Sequence, residues 1–299
     1  MKFAALGSCL VVVVGTLATS SAAVPSVSCQ FGGQLAILPE IFEASGAALA
    51  SGSPPRLWVI NDSEEPIVYG VEADGRIVDR VRVRGVTVQD WEDLAVGPCP
   101  AGRCLFIADI GDNASQRQRI TVYRIPEPSR GSSLSATAEA FHATYPDGPH
   151  NAESLFVDAD QRMYVITKGR SADVYRFPDS IAPDSTSTLS KVGRVTLTAV
   201  DSKGNRRDAS HSELATGAAL SMDRNWVAIR SNQSVWFFNA KDFMAGTAGM
   251  PIWVNVAGAR EPQGEAVVFG PNGLIYLVGE GGSKGRPGTL RTMTCALPR

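Results

Sequence analysis

The sequence has no surplus of either charge: 28 Lys and Arg stand against 30 Asp and Glu, a net of −2. No basic field is available to attract nucleic acid. Histidine is scarce, with three residues in 299, so a histidine-rich metal cluster is excluded. Amphipathic helices are nearly absent, the short NAKDFMAG being the best candidate. After the first two dozen residues no apolar run approaches the ~20 residues that a bilayer span requires. With 44% hydrophobic and 19% charged residues the chain is equally unlike a disordered one.

The N-terminus does carry one apolar run. MKFAALGSCLVVVVGTLATSSAAVPS has Lys2, then Ala4 to Leu17, then small residues ending Ser21-Ala22-Ala23. This predicts a secretory signal peptide over 1–23, a secreted, extracellular or periplasmic protein, and a mature domain over 24–299. Export leaves Cys29, Cys99, Cys104 and Cys295, an even number suited to disulfides. Cys99-Pro-Ala-Gly-Arg-Cys104 reads as a loop staple, and Cys29 with Cys295 would join the chain ends. Zinc is the competing reading, with poor ligand spacing.

Repetition supplies the architecture. SGAALASGSPPRLWVIND (45–62), DWEDLAVGPCPAGRCLFIADIGDN (90–113), NAESLFVDADQRMYVITK (151–168), TGAALSMDRNWVAIR (216–230) and QGEAVVFGPNGLIYLVGE (263–280) share one pattern. A small or acidic opener leads an apolar run, a Gly/Asp turn and a second apolar run. The opener column holds Ala47, Glu92, Glu153, Ala218 and Glu265. Further strand-like stretches rich in Val, Ile, Tyr and Phe follow each pair. Units of about four strands indicate an all-β fold, a β-propeller. Five blades are expected, the Ser/Thr-rich stretch at 184–213 leaving room for a sixth. A strand near Val27 to Leu35 would complete the last blade and close the ring. A two-layer sandwich is the fallback.

In such a ring the openers gather at one mouth of the central channel. If second strands run antiparallel to the first, their ends at Asn61, Asp62, Asp109, Lys168, Arg230 and Glu280 return there. Clustered carboxylates raise one another's pKa or hold a cation. The oxygen-only candidate ligands Glu92, Glu153, Glu265, Asn61 and Asp109 favour Ca²⁺, with Mg²⁺ or Mn²⁺ less suited. Lys168 and Arg230 would bind a small anionic substrate. Glu153, Glu92 or His150 would act on a proton. Each glutamate has an alternative role as a backbone hydrogen-bond acceptor, and Asp109 to Asn113 as an Asx-type turn.

LWVINDS, DWEDLA, IADIGDN with VYRIPEP, and NAESLFVD resemble motifs of secreted bacterial β-propeller proteins without an assigned function. More loosely the chain is similar to calcium-dependent phosphotriesterase and gluconolactonase propellers, β-propeller phytases and calcium-dependent apyrases. That resemblance implies calcium held at the channel by Glu92, Glu153 and Glu265, with Asn61 and Asp109 added, and hydrolysis of phosphoesters or lactones. Ala47 and Ala218 leave the ring incomplete in two blades. The expected function is a monomeric calcium-dependent hydrolase, phosphoester before lactone. The alternatives are a non-catalytic propeller binding a protein or glycan around a structural calcium ion, and a glycosidase with paired carboxylates.

Overall fold

The structure, a computed structural model, describes residues 27–62, 65–198 and 213–298 together with Met1. The expected leader lies outside the described residues apart from Met1. The strands form five sheets, largely antiparallel, around a channel, a five-bladed β-propeller.

The innermost strands are Ala44–Leu49, Trp91–Cys99, Ala152–Val157, Gly217–Leu220 and Gln263–Phe269. Each touches the next, and the last touches the first, so the ring is closed. The fifth blade is completed by Cys29–Leu38, which pairs antiparallel with Gly288–Cys295. Cys29 and Cys295 are partners in that ladder and are joined by a disulfide; Cys99 and Cys104 form the second. Leu134–Thr137 extends the first blade and Thr186–Thr188 the second, both in parallel. Ser190–Thr196 is the outer strand of the third blade. These last two segments occupy the start of the stretch expected to leave room for a sixth blade; the rest of it, 199–212, lies outside the described residues.

Why the second strands read as unbroken apolar runs follows from the packing. Five hydrophobic clusters fill the five gaps between adjacent blades. Successive side chains of a strand point to opposite faces. In the second blade Leu105 and Ile107 therefore enter the gap to the first blade, while Phe106 and Ala108 enter the gap to the third. Leu57 and Val59 likewise face the fifth blade and Trp58 and Ile60 the second. Both faces are buried, so alternation with polar residues disappears. Each of the Leu, Ile, Val and Phe side chains contributes about 1.5–3 kcal/mol by leaving water.

Candidate functional site at the acidic mouth

Pairing brings the two ends of each hairpin to one mouth. Ala44 is opposite Asn61, Trp91 opposite Asp109, Ala152 beside Thr167, Gly217 opposite Arg230 and Gln263 opposite Glu280. In three blades the ladder breaks at the opener. The register skips between Trp91 and Asp93, between Ala152 and Ser154, and between Gly264 and Ala266. The residues left out are Glu92, Glu153 and Glu265. A bulge leaves its extra residue unpaired and re-aims the side chain. In the fourth blade, where the opener is Ala218, pairing continues without a shift. The first blade, whose opener is Ala47, also shifts register, between Ala44 and Ala47, so the irregularity is not confined to the glutamate blades.

The bulged glutamates are buried, with 8%, 4% and 9% of Glu92, Glu153 and Glu265 exposed. Burial, then the charges of Glu153, Asp62 and Asp90, pushes the Glu92 carboxyl up to about 10, against the opposing pull of Lys168. Burial raises Glu265 to about 8, with Gln263 opposing and Glu153 and Glu280 assisting. Asp62 rises to about 7 through burial, a hydrogen bond with Asp90, and the charges of Asp90, Glu43 and Glu280. Glu153 is raised by burial but held back by Lys168, whose ammonium donates to its carboxylate. Burial works to lower Lys168, and Glu153, Glu92 and Glu265 overcome it, so it stays an ammonium. One cation thus stands among several acids drawn from four blades.

Asp90, Glu43 and Asn151 belong to this cluster although the repeat pattern did not single them out. A Cβ at Gly111 would meet Asp90 Oδ2 at 2.3 Å and Glu92 Oε1 at 2.4 Å, so only glycine lets the two carboxyls stand side by side there. Asn151 accepts from the Asp112 amide at 2.8 Å and donates to Asn113 Oδ1 at 3.1 Å, tying the third blade to the turn of the second. The adjacency Asp90-Trp91-Glu92 was the available signal for Asp90.

Other expected site residues are placed differently. Arg230 is wholly buried; it pairs with Glu261 and donates to Ala266 O at 2.8 Å, leaving nothing for a solute. Asp109 accepts from the Gln89 and Asp90 amides at 3.1 and 3.2 Å and pairs with Arg117, which is a turn clasp. Asn61 turns its oxygen to the Glu43 amide at 3.0 Å. His150 partners Asp147 at 2.9 Å and the Tyr175 hydroxyl at 3.0 Å, and its ring lies edge-on to Tyr145. These partners sit beside the gap between the second and third blades and are not the mouth carboxylates. Asp93, beside Glu92, accepts from the amides of Leu94, Leu155 and Ala218 at 2.8, 2.7 and 3.2 Å. It joins three inner strands across the channel.

The donor chemistry suits calcium, being all oxygen. The placement does not: among the described residues no group of three or more His, Cys, Asp or Glu side chains is arranged to hold a metal. The ammonium of Lys168 stands where such an ion would have to interact. As placed, these residues do not fit a metal ion.

No protein-family model matches the chain, and no curated protein does. Solved propellers do resemble it. A PQQ-bound aldose sugar dehydrogenase from Streptomyces coelicolor is 13% identical with a TM-score of 0.51, over 91% of this chain and 100% of that one. A gluconolactonase from Xanthomonas campestris (12%, TM-score 0.44, 87% and 89%) and a calcium-binding protein, regucalcin, from Agrobacterium tumefaciens (13%, 0.42, 87% and 93%) also match. At such an identity the likeness to the Streptomyces coelicolor structure is one of fold alone.

Proposed function

We propose that the acidic mouth hydrolyses a small uncharged ester or lactone, Glu153 acting as base and Glu92 as acid, in an exported monomer. The observation that carries this reading is the pairing of bulged Glu153 with Lys168 next to bulged Glu92. Two carboxyl groups whose surroundings separate them can divide acid and base duties. Glu153, with its charge supported by Lys168, takes a proton from water as the water oxygen bonds to the carbonyl carbon. Glu92 gives its proton to the leaving oxygen as the carbon–oxygen bond breaks, producing a carboxylic acid and an alcohol. Proton exchange with solvent restores both groups.

An uncharged substrate suits the site better than the phosphoester expected from Lys168 and Arg230. Lys168 is engaged by Glu153 and Arg230 is buried, so neither offers a free charge to an anion. Calcium enters as a competitor of Lys168 for Glu92, Glu153 and Glu265. The two disulfides accord with export. A panel of aldonolactones, aryl esters and phosphoesters, with and without EDTA, tests the proposal. Lactone or ester turnover that survives EDTA supports it. Turnover confined to phosphoesters, or strictly calcium-dependent, replaces it. The surplus of carboxylates favours a second reading, a platform for a cationic protein or glycan, which predicts no turnover on any substrate.

A further inference from the structure

The opposite end of the channel has a different character. The inner strands run from the acidic mouth toward Leu49, Val157, Leu220 and Phe269, where they enclose a cavity of about 370 Å³. Asp93 spans the channel between the two ends, and Gly46 marks the narrow level, since a Cβ there would meet the Asp93 backbone at 2.6 Å. Asp93 and Gly46 thus lie between the cavity and the mouth.

Most of the side chains lining the cavity are aliphatic or aromatic, and its size is within the ~300–1,000 Å³ usual for small-molecule sites. Three charged residues line it. The Asp158 carboxylate is already used by the Asp160 and Arg162 amides at 2.8 and 2.9 Å. Arg103 donates to Leu49 O at 2.6 Å and pairs with Glu127 at 2.9 Å. The third, Arg224, sits in a turn with φ of 62°. Among the described residues no hydrogen bond or ion pair engages its guanidinium. Beside it Met222 keeps 64% of its surface exposed, continuing the apolar wall to the rim.

We propose that this cavity binds a small amphipathic anion, with its apolar tail between the inner strands and its carboxylate on Arg224. Apolar walls take the chain by the hydrophobic effect, and a guanidinium without a partner gives the head group a charge-assisted bond. This site is independent of the acidic mouth.

The test is calorimetric titration of the purified full chain with decanoate, decanol and decyltrimethylammonium, each below its micellar concentration. The expected result is saturable 1:1 binding of decanoate, at least about tenfold tighter than either comparator. Arg224→Glu, an exposed change that leaves the walls intact, should weaken decanoate about tenfold and remove its advantage over decyltrimethylammonium. Leu220→Trp should abolish binding by filling the cavity, and Glu92→Gln should not alter it. Absence of saturable decanoate binding to the native protein, equal affinity for all three probes, or an Arg224→Glu variant binding decanoate unchanged overturns the proposal.

Discussion

Lys168 and Glu153 face each other across the first two strands of the third blade, ammonium bonded to carboxylate, and Glu153 is the residue that its strand leaves unpaired. A cation built into the chain thereby performs the neutralisation that an acid cluster otherwise obtains from protons or a metal. Lys168→Met should cost about 1–3 kcal/mol, since the buried Glu153 carboxylate loses its donor while Lys168 itself is partly exposed. At pH 8 the variant should also gain a saturable increase in melting temperature from calcium chloride that the native protein lacks. Thermal melts with and without calcium check this; an identical calcium response in both proteins would refute the role given to Lys168.

Glu92→Gln replaces a carboxyl held in its neutral form by a neutral amide of similar size. The melting temperature should therefore change little at pH 7, whereas ester or lactone turnover should fall about 10²–10⁴-fold with loss of the acid. Glu153→Gln should lower turnover comparably and also loosen Lys168. Parallel rate and melting measurements separate the two variants.

Stability should decline as pH rises. Between their ordinary values and the raised ones, Asp62, Glu265 and Glu92 keep protons in the folded protein that the unfolded chain has released. The unfolded state then binds fewer protons, so unfolding becomes easier with increasing pH. This contribution is complete below about pH 4 and is lost as pH passes through about 7, 8 and 10 in turn. Melting temperature should fall from about pH 5 to pH 9, a range where acids with lowered values such as Asp173 stay ionised. Glu265→Gln should flatten the part of the curve below pH 8. A melting temperature that climbs over this range contradicts the assignment.

Asp93→Ala should be the most damaging single change at the hub. It leaves the amides of Leu94, Leu155 and Ala218 without their acceptor inside a closed ring, at about 1–3 kcal/mol for each buried group left unsatisfied. Denaturant unfolding should show a loss of about 3 kcal/mol or more. Asp93→Asn, which keeps an acceptor oxygen, should recover part of it.

Much of this body was legible in the residues. Five doubled apolar runs and their openers indicate five blades, because both faces of Leu105 to Ala108 are buried and neither alternates with polar side chains. The partnership of Cys29 and Cys295 follows from closing such a ring with its two ends. What the residues did not disclose is direction within the site. Nothing in NAESL or QGEAV says that the glutamate is the residue left out of the ladder, since a bulge depends on pairing with a partner strand. Arg230 and Lys168 end equivalent strands and look alike in sequence, yet Glu261 takes the first inward and Glu153 keeps the second at the mouth. Asp109 looked like a ligand because its own turn, closed by Arg117, is specified by contacts eight residues away and farther.

Cys29–Leu38, the first strand among the described residues, forms the rim of the last blade, with consequences for how the molecule assembles. A growing polypeptide cannot seal the circle until Gly288–Cys295 has emerged, so the flank that this strand covers stays open through most of synthesis. Cutting away either Cys29–Leu38 or Gly288–Cys295 injures the same blade, while a rearranged chain beginning between two other blades would shift that weak point without redrawing the mouth. The disulfide between Cys29 and Cys295 fastens that seam covalently, so closure of the toroid is reinforced wherever the surroundings let the pair oxidise.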